Sequence, residues 1–146
     1  MKYLILLLLI ANFGCQTASH KNQDNVQIAL VNPYFNRRDE TALEKKYREE
    51  IRLTIQSHLK EIRNCYVDSL KINPELEGKV LVEFTIDDKG TAQEAKVIEA
   101  KSSIHNDQLN NCITDAFKTW KFPATSEGKK MTTSYPLILK KHSTKK

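Results

Sequence analysis

Apolar residues between Asn106 and Pro123 recur every three or four positions, which is the spacing of one helix face. Asn106 suits the N-cap, because its side chain can accept a hydrogen bond from a backbone N–H of the first turn. Pro123 predicts the end of the helix. The predicted apolar face consists of Leu109, Cys112, Ile113, Ala116, Phe117 and Trp120.

A longer helical pattern extends from about Asp39, which suits an N-cap, to Leu70. Its apolar residues again recur every three or four positions, whereas the opposite face carries the charge pairs of a solvated helix surface. Asn73-Pro74 predicts the end of this element. The apolar positions are Tyr47, Ile51, Ile55, Leu59, Ile62 and Tyr66.

Alternation of apolar and polar residues from Val80 to Ile86 predicts a strand. A turn from Asp87 to Gly90 leads into a second strand from Thr91 to Ala100, so that the pair forms a hairpin. The last strand holds Pro136, which cannot donate to a ladder, and we expect this strand at a sheet edge or bulged at that residue. Its residues of common parity are Met131, Thr133, Tyr135, Leu137 and Leu139.

The predicted order is therefore helix, strand, strand, helix, strand. Three strands would form a small antiparallel sheet with two helices on one face, which is an α+β domain, and we assign it residues 39–141. A short apolar run at residues 26–31 precedes this domain. It is either a strand added to the domain's sheet or a segment presented to a partner.

The start of the chain has an apolar run from Leu4 to Ala11, preceded by Lys2. A membrane-spanning helix needs about 20 apolar residues, so this run is too short to span a bilayer. It fits a secretory signal peptide, which we assign to residues 1–14. The alternative is a buried strand or helix end.

Cys15 follows the small residue Gly14, as in the lipobox of bacterial lipoproteins, where such a Cys becomes acylated. Asn12 departs from the Leu that is usual there, and the alternative is an ordinary secreted protein cleaved nearby. Several acyl chains on Cys15 would anchor the protein stably in a membrane. Residues 15–38 would then form a lipid-anchored tether. Because Gln16 is not the Asp that signals inner-membrane retention, the resemblance implies the outer membrane.

Charge is mildly positive, with a formal net charge of +5 at pH 7. Much of the excess lies at the end of the chain, where Lys140 to Lys146 reads KKHSTKK, and residues 142–146 form a basic tail beyond the domain. This end is either a solvated terminus or a patch for weak contact with anionic lipid or glycan. Because no basic motif is interleaved with aromatic residues, we expect no nucleic-acid partner.

Two cysteines, Cys65 and Cys112, lie on the two predicted helices. A secreted chain enters an oxidising compartment. Two helices packed side by side on one sheet can bring Cα atoms within the roughly 7 Å that a disulfide requires. We therefore expect a disulfide, and the alternative is two buried free thiols.

These cysteines do not predict a zinc site. His58 and Cys65 are seven residues apart, and so are His105 and Cys112. Seven residues are two turns, about 10 Å along a helix axis, whereas ligands lie about 2.0–2.3 Å from one zinc ion. No metal and no other cofactor is predicted.

A catalytic set is not apparent in the sequence either. The four His are scattered, and the four Gly form no phosphate-binding loop. Asp87-Asp88 is explained by its turn. We therefore expect a protein that is not an enzyme.

Several segments of the domain occur in a characteristic order: CYVDSL at 65–70, GKVLVEFTIDDKG at 78–90, AKVIEAKSS at 95–103, NNCITDAFKTWKFP at 110–123 and YPLIL at 135–139. In this combination they resemble the AgmX/PglI-type C-terminal domain, which is itself similar to the C-terminal domain of TonB-type energy transducers. The resemblance covers about residues 50–140, and the two cysteines of such proteins would correspond to Cys65 and Cys112.

The resemblance implies a periplasmic protein-interaction module, because TonB domains bind an extended peptide of a partner by adding it to a sheet edge. The strand Met131–Leu139 is the candidate edge. Energy transducers also have a membrane-spanning helix and a long Pro-rich spacer, which we do not find here. A flexible tether of about 20 residues spans about 25 Å on average.

We therefore expect a stand-alone version of the domain on the periplasmic face of the envelope, carried by a lipoprotein. Its partners would be envelope proteins, and its membrane contact would be the lipid anchor. The alternative is a structural envelope lipoprotein that binds peptidoglycan or lipopolysaccharide through Lys140–Lys146.

Overall fold

The structure is a computed structural model that describes residues 26–30, 41–126 and 128–141. Within these ranges the chain forms four strands and three helices, with one 3₁₀ turn at Glu99–Lys101. The elements are β1 (Val26–Leu30), α1 (Ala42–Ser57), α2 (Leu59–Leu70), β2 (Gly78–Ile86), β3 (Ala92–Val97), α3 (Asp107–Thr119) and β4 (Met131–Lys141).

The four strands form one antiparallel sheet in the order β1-β4-β2-β3. The α+β class is as predicted, but the prediction of three strands is wrong. The fourth strand is β1, which the apolar run at residues 26–31 supplies. A run this short cannot be assigned from periodicity, because only its pairing with β4 distinguishes a strand from other buried segments.

The predicted first helix is divided into α1 and α2 at His58, whose backbone angles are φ −103° and ψ 10°. Among the described residues, the structure therefore has three helices over the sheet, whereas the sequence predicts two. The sequence gives no sign of this break, because apolar residues continue at helical spacing on both sides of it. Helix α1 begins after Thr41, whose side chain forms a capping box with Glu44. The predicted N-cap, Asp39, lies outside the described residues.

The helices cover one face of the sheet, as predicted. Every second residue of β2, from Val80 to Ile86, is buried under them, and the same face of β4 holds buried Tyr135, Leu137 and Leu139. The largest buried side chains from the helices are Ile55, Ile62, Tyr66, Leu109, Ile113 and Phe117. Burial of this apolar area is the main force that holds the fold together.

Helix α3 has the N-cap that the sequence predicts, since the side chain of Asn106 accepts a hydrogen bond from the Leu109 N–H at 2.8 Å. Trp120 follows the helix as its C-cap and is 2% exposed. Its indole Nε1–H donates to Glu61 Oε2 on α2 at 2.7 Å. The end of α3 is therefore fixed to α2 by a hydrogen bond as well as by apolar packing.

A disulfide joins α2 to α3 between Cys65 and Cys112, as predicted, with the two Cα atoms 5.8 Å apart. Cys65 is buried and Cys112 is exposed. The covalent bond and the Glu61–Trp120 hydrogen bond lie along the same helix pair. Together they hold two of the three helices in a fixed position over the sheet.

Candidate strand-binding edge

Strand β4 lies inside the sheet rather than at its edge. Strand β2 pairs with it from Met131 to Leu139, and β1 pairs with its other side from Leu137 to Lys141. The prediction that Met131–Leu139 is an edge strand is therefore wrong for the part that β1 covers. Between Met131 and Pro136, no strand of the described residues pairs with the side that faces away from β2. We call the side of β4 that faces away from β2 its outer side.

The hydrogen bonds of Leu81 show which backbone groups of β4 face outward. The Leu81 C=O accepts from the Ile98 N–H at 2.8 Å, and the Leu81 N–H donates to Ser102 Oγ at 3.0 Å. Both groups therefore point away from β4. Leu81 lies directly opposite Pro136, so the backbone of Pro136 points away from β2 as well, because antiparallel pairs alternate in this way. The residues whose backbone faces the outer side are thus Thr132, Ser134, Pro136, Ile138 and Lys140.

Pro136 lies next to the last described pair between β1 and β4. The last residue of β1, Leu30, lies opposite Leu137, and the next position whose backbone faces outward is Pro136. Pro has no N–H, so a neighbouring strand finds no donor at that position. The register between β2 and β4 continues through Leu81 and Pro136 without a bulge. The proline is thus accommodated because its nitrogen faces away from β2, so that no hydrogen bond of the β2–β4 ladder is lost.

The five predicted site residues all lie in β4, with their side chains on the face under the helices. Tyr135, Leu137 and Leu139 are buried there, whereas Met131 and Thr133 are half-buried. Their backbone groups face β2. The hydrogen bonds of an added strand would therefore go to the residues between them, such as Thr132 and Ile138, whose backbone groups face the outer side. The signal in the sequence was Pro136 itself, because a proline within a paired strand has to face an open side.

Tyr135 has the one buried polar group on this face of β4. Its hydroxyl has no hydrogen-bond partner among the described residues. Burial raises the pKa of Tyr135 above its ordinary value. The charge of Arg52 on α1 opposes this rise, and the charge of Glu49 adds to it. The hydroxyl is therefore neutral at physiological pH.

Strand β1 shows how a strand is held on the outer side of β4. Ile28 lies opposite Leu139 and packs against the core, whereas Gln27 and Ala29 are exposed. Ala29 lies opposite Ile138, whose backbone faces outward, so this pair is a hydrogen-bonded one. The outer side of β4 therefore takes an antiparallel strand that has an apolar residue directed at the core and small or polar residues on the open face.

The opposite edge of the sheet, β3, has a different surface. Gln93, Glu94 and Lys96 are exposed along it. Lys96 Nζ also forms a salt bridge with Glu83 of β2 at 3.0 Å, and the register shifts near Ile86 as at a β-bulge. Charged residues and bulges are the features with which natural edge strands avoid pairing with other chains.

The acidic residues of the hairpin turn have structural roles. Asp87 Oδ1 accepts hydrogen bonds from the backbone N–H groups of Lys89 and Thr91, and the Thr91 bond contributes most to lowering the pKa of Asp87. Gly90 has φ +74°, and a Cβ there would lie 2.2 Å from the Phe122 carbonyl oxygen. In the part of the chain that the structure describes, no group of three His, Cys, Asp or Glu could hold a metal ion.

Residues 72–139 match the family described as the Gram-negative bacterial TonB protein C-terminal. The matched stretch contains β2, β3, α3 and β4 as far as Leu139, whereas β1, α1 and α2 precede it. Comparison of the chain with curated proteins and with solved structures finds no match. None of the helices in the described ranges is long and apolar enough to cross a membrane.

This family is a non-enzymatic interaction domain of the Gram-negative envelope, and its domains mediate contacts between proteins. The match confirms the TonB-like part of the resemblance that the sequence motifs indicate. The narrower AgmX/PglI type and the lipoprotein carrier stay predictions. Residues 72–139 of this chain are therefore similar to the TonB C-terminal domain.

Proposed function

We propose that the protein is a non-catalytic interaction module on the periplasmic face of the envelope, which binds a partner protein by adding an extended segment of it to the outer side of β4. One observation carries this proposal. The outer side of β4 already holds a short antiparallel strand, β1, that lies outside the matched domain. The same backbone groups would serve a partner strand.

Affinity and specificity in this mode have separate sources. Main-chain hydrogen bonds give the affinity, and side chains at alternate positions of the peptide give the specificity. A partner residue opposite Leu139 would take the position that Ile28 has, against the core. The rigid support under this position comes from α2, which lies against β1 and is tied to α3 by the disulfide.

The attachment to the membrane is the second part of the proposal. After removal of residues 1–14, Cys15 would carry the acyl chains, and the segment 15–38 would connect them to the domain. These residues are outside the described range apart from β1. A Cys15→Ala variant should lose its membrane association on fractionation of cells, and unchanged association would exclude the anchor.

A matched pair of variants at Thr132 tests strand addition. Thr132→Ala and Thr132→Pro both lose the 2.9 Å contact between the hydroxyls of Thr132 and Thr85, but only the proline loses an outward N–H. One main-chain hydrogen bond contributes about 1 kcal/mol, so Thr132→Pro should weaken partner binding about fivefold relative to Thr132→Ala. The measurement is photo-crosslinking of each full-length variant to envelope proteins, followed by titration of the captured partner.

Equal binding by the two variants would show that the outer side of β4 is not the site. Binding of the partner through Lys140–Lys146 would instead support the alternative, a structural lipoprotein that contacts peptidoglycan or lipopolysaccharide. That alternative is weaker, because Lys141 Nζ already lies 3.1 Å from Glu75 Oε2. One of the four lysines is therefore engaged within the domain.

A further inference from the structure

Strand β1 occupies the place on the sheet where a partner strand would bind. It pairs with β4 from Leu137 to Lys141, and the stretch that matches the family begins only at residue 72. Without β1, no strand of residues 41–126 and 128–141 would pair with the outer side of β4. We propose that β1 is an internal competitor for the binding edge, and that it leaves β4 when a partner strand binds. This inference rests on the proposed function.

Strand β1 is held to the sheet from one side. It pairs with β4 alone, whereas β4 pairs with both β1 and β2. Among the side chains of β1 that the structure describes, Ile28 packs against the core, while Gln27 and Ala29 are exposed. Local opening of one edge element breaks only its own contacts, so it costs less free energy than unfolding of the core. Strand β1 can therefore separate from β4 while the core under the helices stays folded.

The outer side of β4 also offers a starting point for a partner. Between Met131 and Pro136 the described part of the chain places no strand on the outer side of β4. An incoming segment can pair first with the backbone around Thr132 and then extend past Pro136 as β1 separates. Such a partner is an extended peptide with apolar residues at alternate positions, as in the sequence VQIAL of β1 itself.

The test uses a labelled synthetic peptide with the sequence of residues 24–32, DNVQIALVN, as the probe. Its binding is measured by fluorescence anisotropy to the full-length wild type and to two variants at Ala29. Ala29→Pro removes the N–H that faces Ile138, whereas Ala29→Thr keeps it and serves as the matched control. Ala29 is exposed, so neither change alters the core.

We expect the peptide to bind Ala29→Pro at least about tenfold more tightly than it binds the wild type or Ala29→Thr. The apparent affinity for a site that is open only part of the time is reduced by the fraction of time that it is open. Near-ultraviolet circular dichroism of the buried Trp120 checks that all three proteins keep the same core.

The other outcomes overturn the inference in distinguishable ways. Equal tight binding to all three proteins would show that the edge accepts a strand but that β1 does not compete, which leaves the proposed function standing. Binding to none of them, with the core intact, would overturn the proposed function too. A wild type that is a dimer by light scattering and becomes a monomer in Ala29→Pro would show that a second copy supplies β1, which overturns internal competition.

Discussion

The two sides of the sheet that could accept a further strand differ in how they are protected. Strand β3 carries exposed Glu94 and Lys96 along its outer edge and an irregular register near Ile86. Strand β4 has no charged residue from Met131 to Leu139, and part of its outer side is covered by β1. Apart from the N–H that Pro136 lacks, both strands offer the same kinds of backbone groups. Under the proposed function, side chains would prevent pairing at β3, whereas β1 would regulate pairing at β4.

A common support lies behind the two edges. Helices α2 and α3 are joined by the disulfide, and Phe117 of α3 packs edge-on against Phe84 of β2 with ring centroids 5.1 Å apart. Helices α2 and α3 therefore support β2, the strand that pairs with both β3 and β4. Changes in this support should therefore alter the free energy of unfolding most, and changes in the exposed side chains of β3 should alter it least.

Removal of the disulfide should have the largest effect. The bond closes a loop of 47 residues, and the chain-entropy model gives about 4 kcal/mol for a loop of that length. A Cys65→Ala/Cys112→Ala double variant should lose about this much free energy of unfolding in guanidinium denaturation. A loss below about 1 kcal/mol would mean that noncovalent contacts, the Glu61–Trp120 hydrogen bond among them, are enough to position α2 against α3.

The hydrogen bond between Glu61 and Trp120 should contribute less. Glu61→Leu removes the acceptor of the Trp120 indole N–H. Trp120 is 2% exposed, so its N–H would be left without a partner in a buried position. An unsatisfied buried donor costs about 1–3 kcal/mol, which we expect as lost free energy of unfolding. Glu61→Gln keeps an acceptor oxygen and is the control. If both variants lose the same amount, the indole N–H finds another partner.

Lowering the pH should weaken the hydrogen bond between Glu61 and Trp120. The hydrogen bond from Trp120, followed by that from His58, lowers the pKa of Glu61 below its ordinary value of 4.5. A carboxylate with a lowered pKa in the folded state stabilises the fold above its unfolded pKa, and this contribution is lost as the pH falls through the lowered folded value. The melting temperature of the wild type should therefore decline more below pH 4.5 than that of Glu61→Gln. Parallel declines would show that Glu61 is not responsible.

The smallest effect on stability is expected at β3. Glu94→Thr combined with Lys96→Thr removes two exposed charges, and the salt bridge from Lys96 to Glu83 has 68% and 34% exposed side chains. Exposed ion pairs contribute about 0–1 kcal/mol, so the free energy of unfolding should change by less than about 0.5 kcal/mol. The variant should instead self-associate in analytical ultracentrifugation, because its edge is no longer charged. A monomeric variant would show that the charges do not protect β3.

The sequence predicts the parts of the fold that depend on local pattern. Helix α3 with its Asn106 cap and the alternation of β2 follow from spacing and capping chemistry. The break at His58 does not, since the apolar spacing continues across it. The His58 ring stacks on Trp120, which is distant in sequence, with the ring centroids 4.7 Å apart. No local pattern reveals a contact of this kind.

The candidate site was harder to predict than the fold. Parity along β4 identifies one face of the strand, but it does not tell which backbone groups face a partner. That direction is set by the pairing of Leu81 with Pro136. The presence of β1 on the outer side also depends on tertiary pairing, which a run of five residues does not reveal.

The central claim is that a partner strand adds to the outer side of β4 and not to β3. The most direct measurement is amide hydrogen exchange by NMR on the full-length Ala29→Pro variant, with and without the peptide of residues 24–32. The claim predicts that the peptide slows exchange at Ile138 and Lys140, whose N–H groups face the outer side. Slower exchange at Ala95 and Val97 of β3, with Ile138 and Lys140 unchanged, would contradict it.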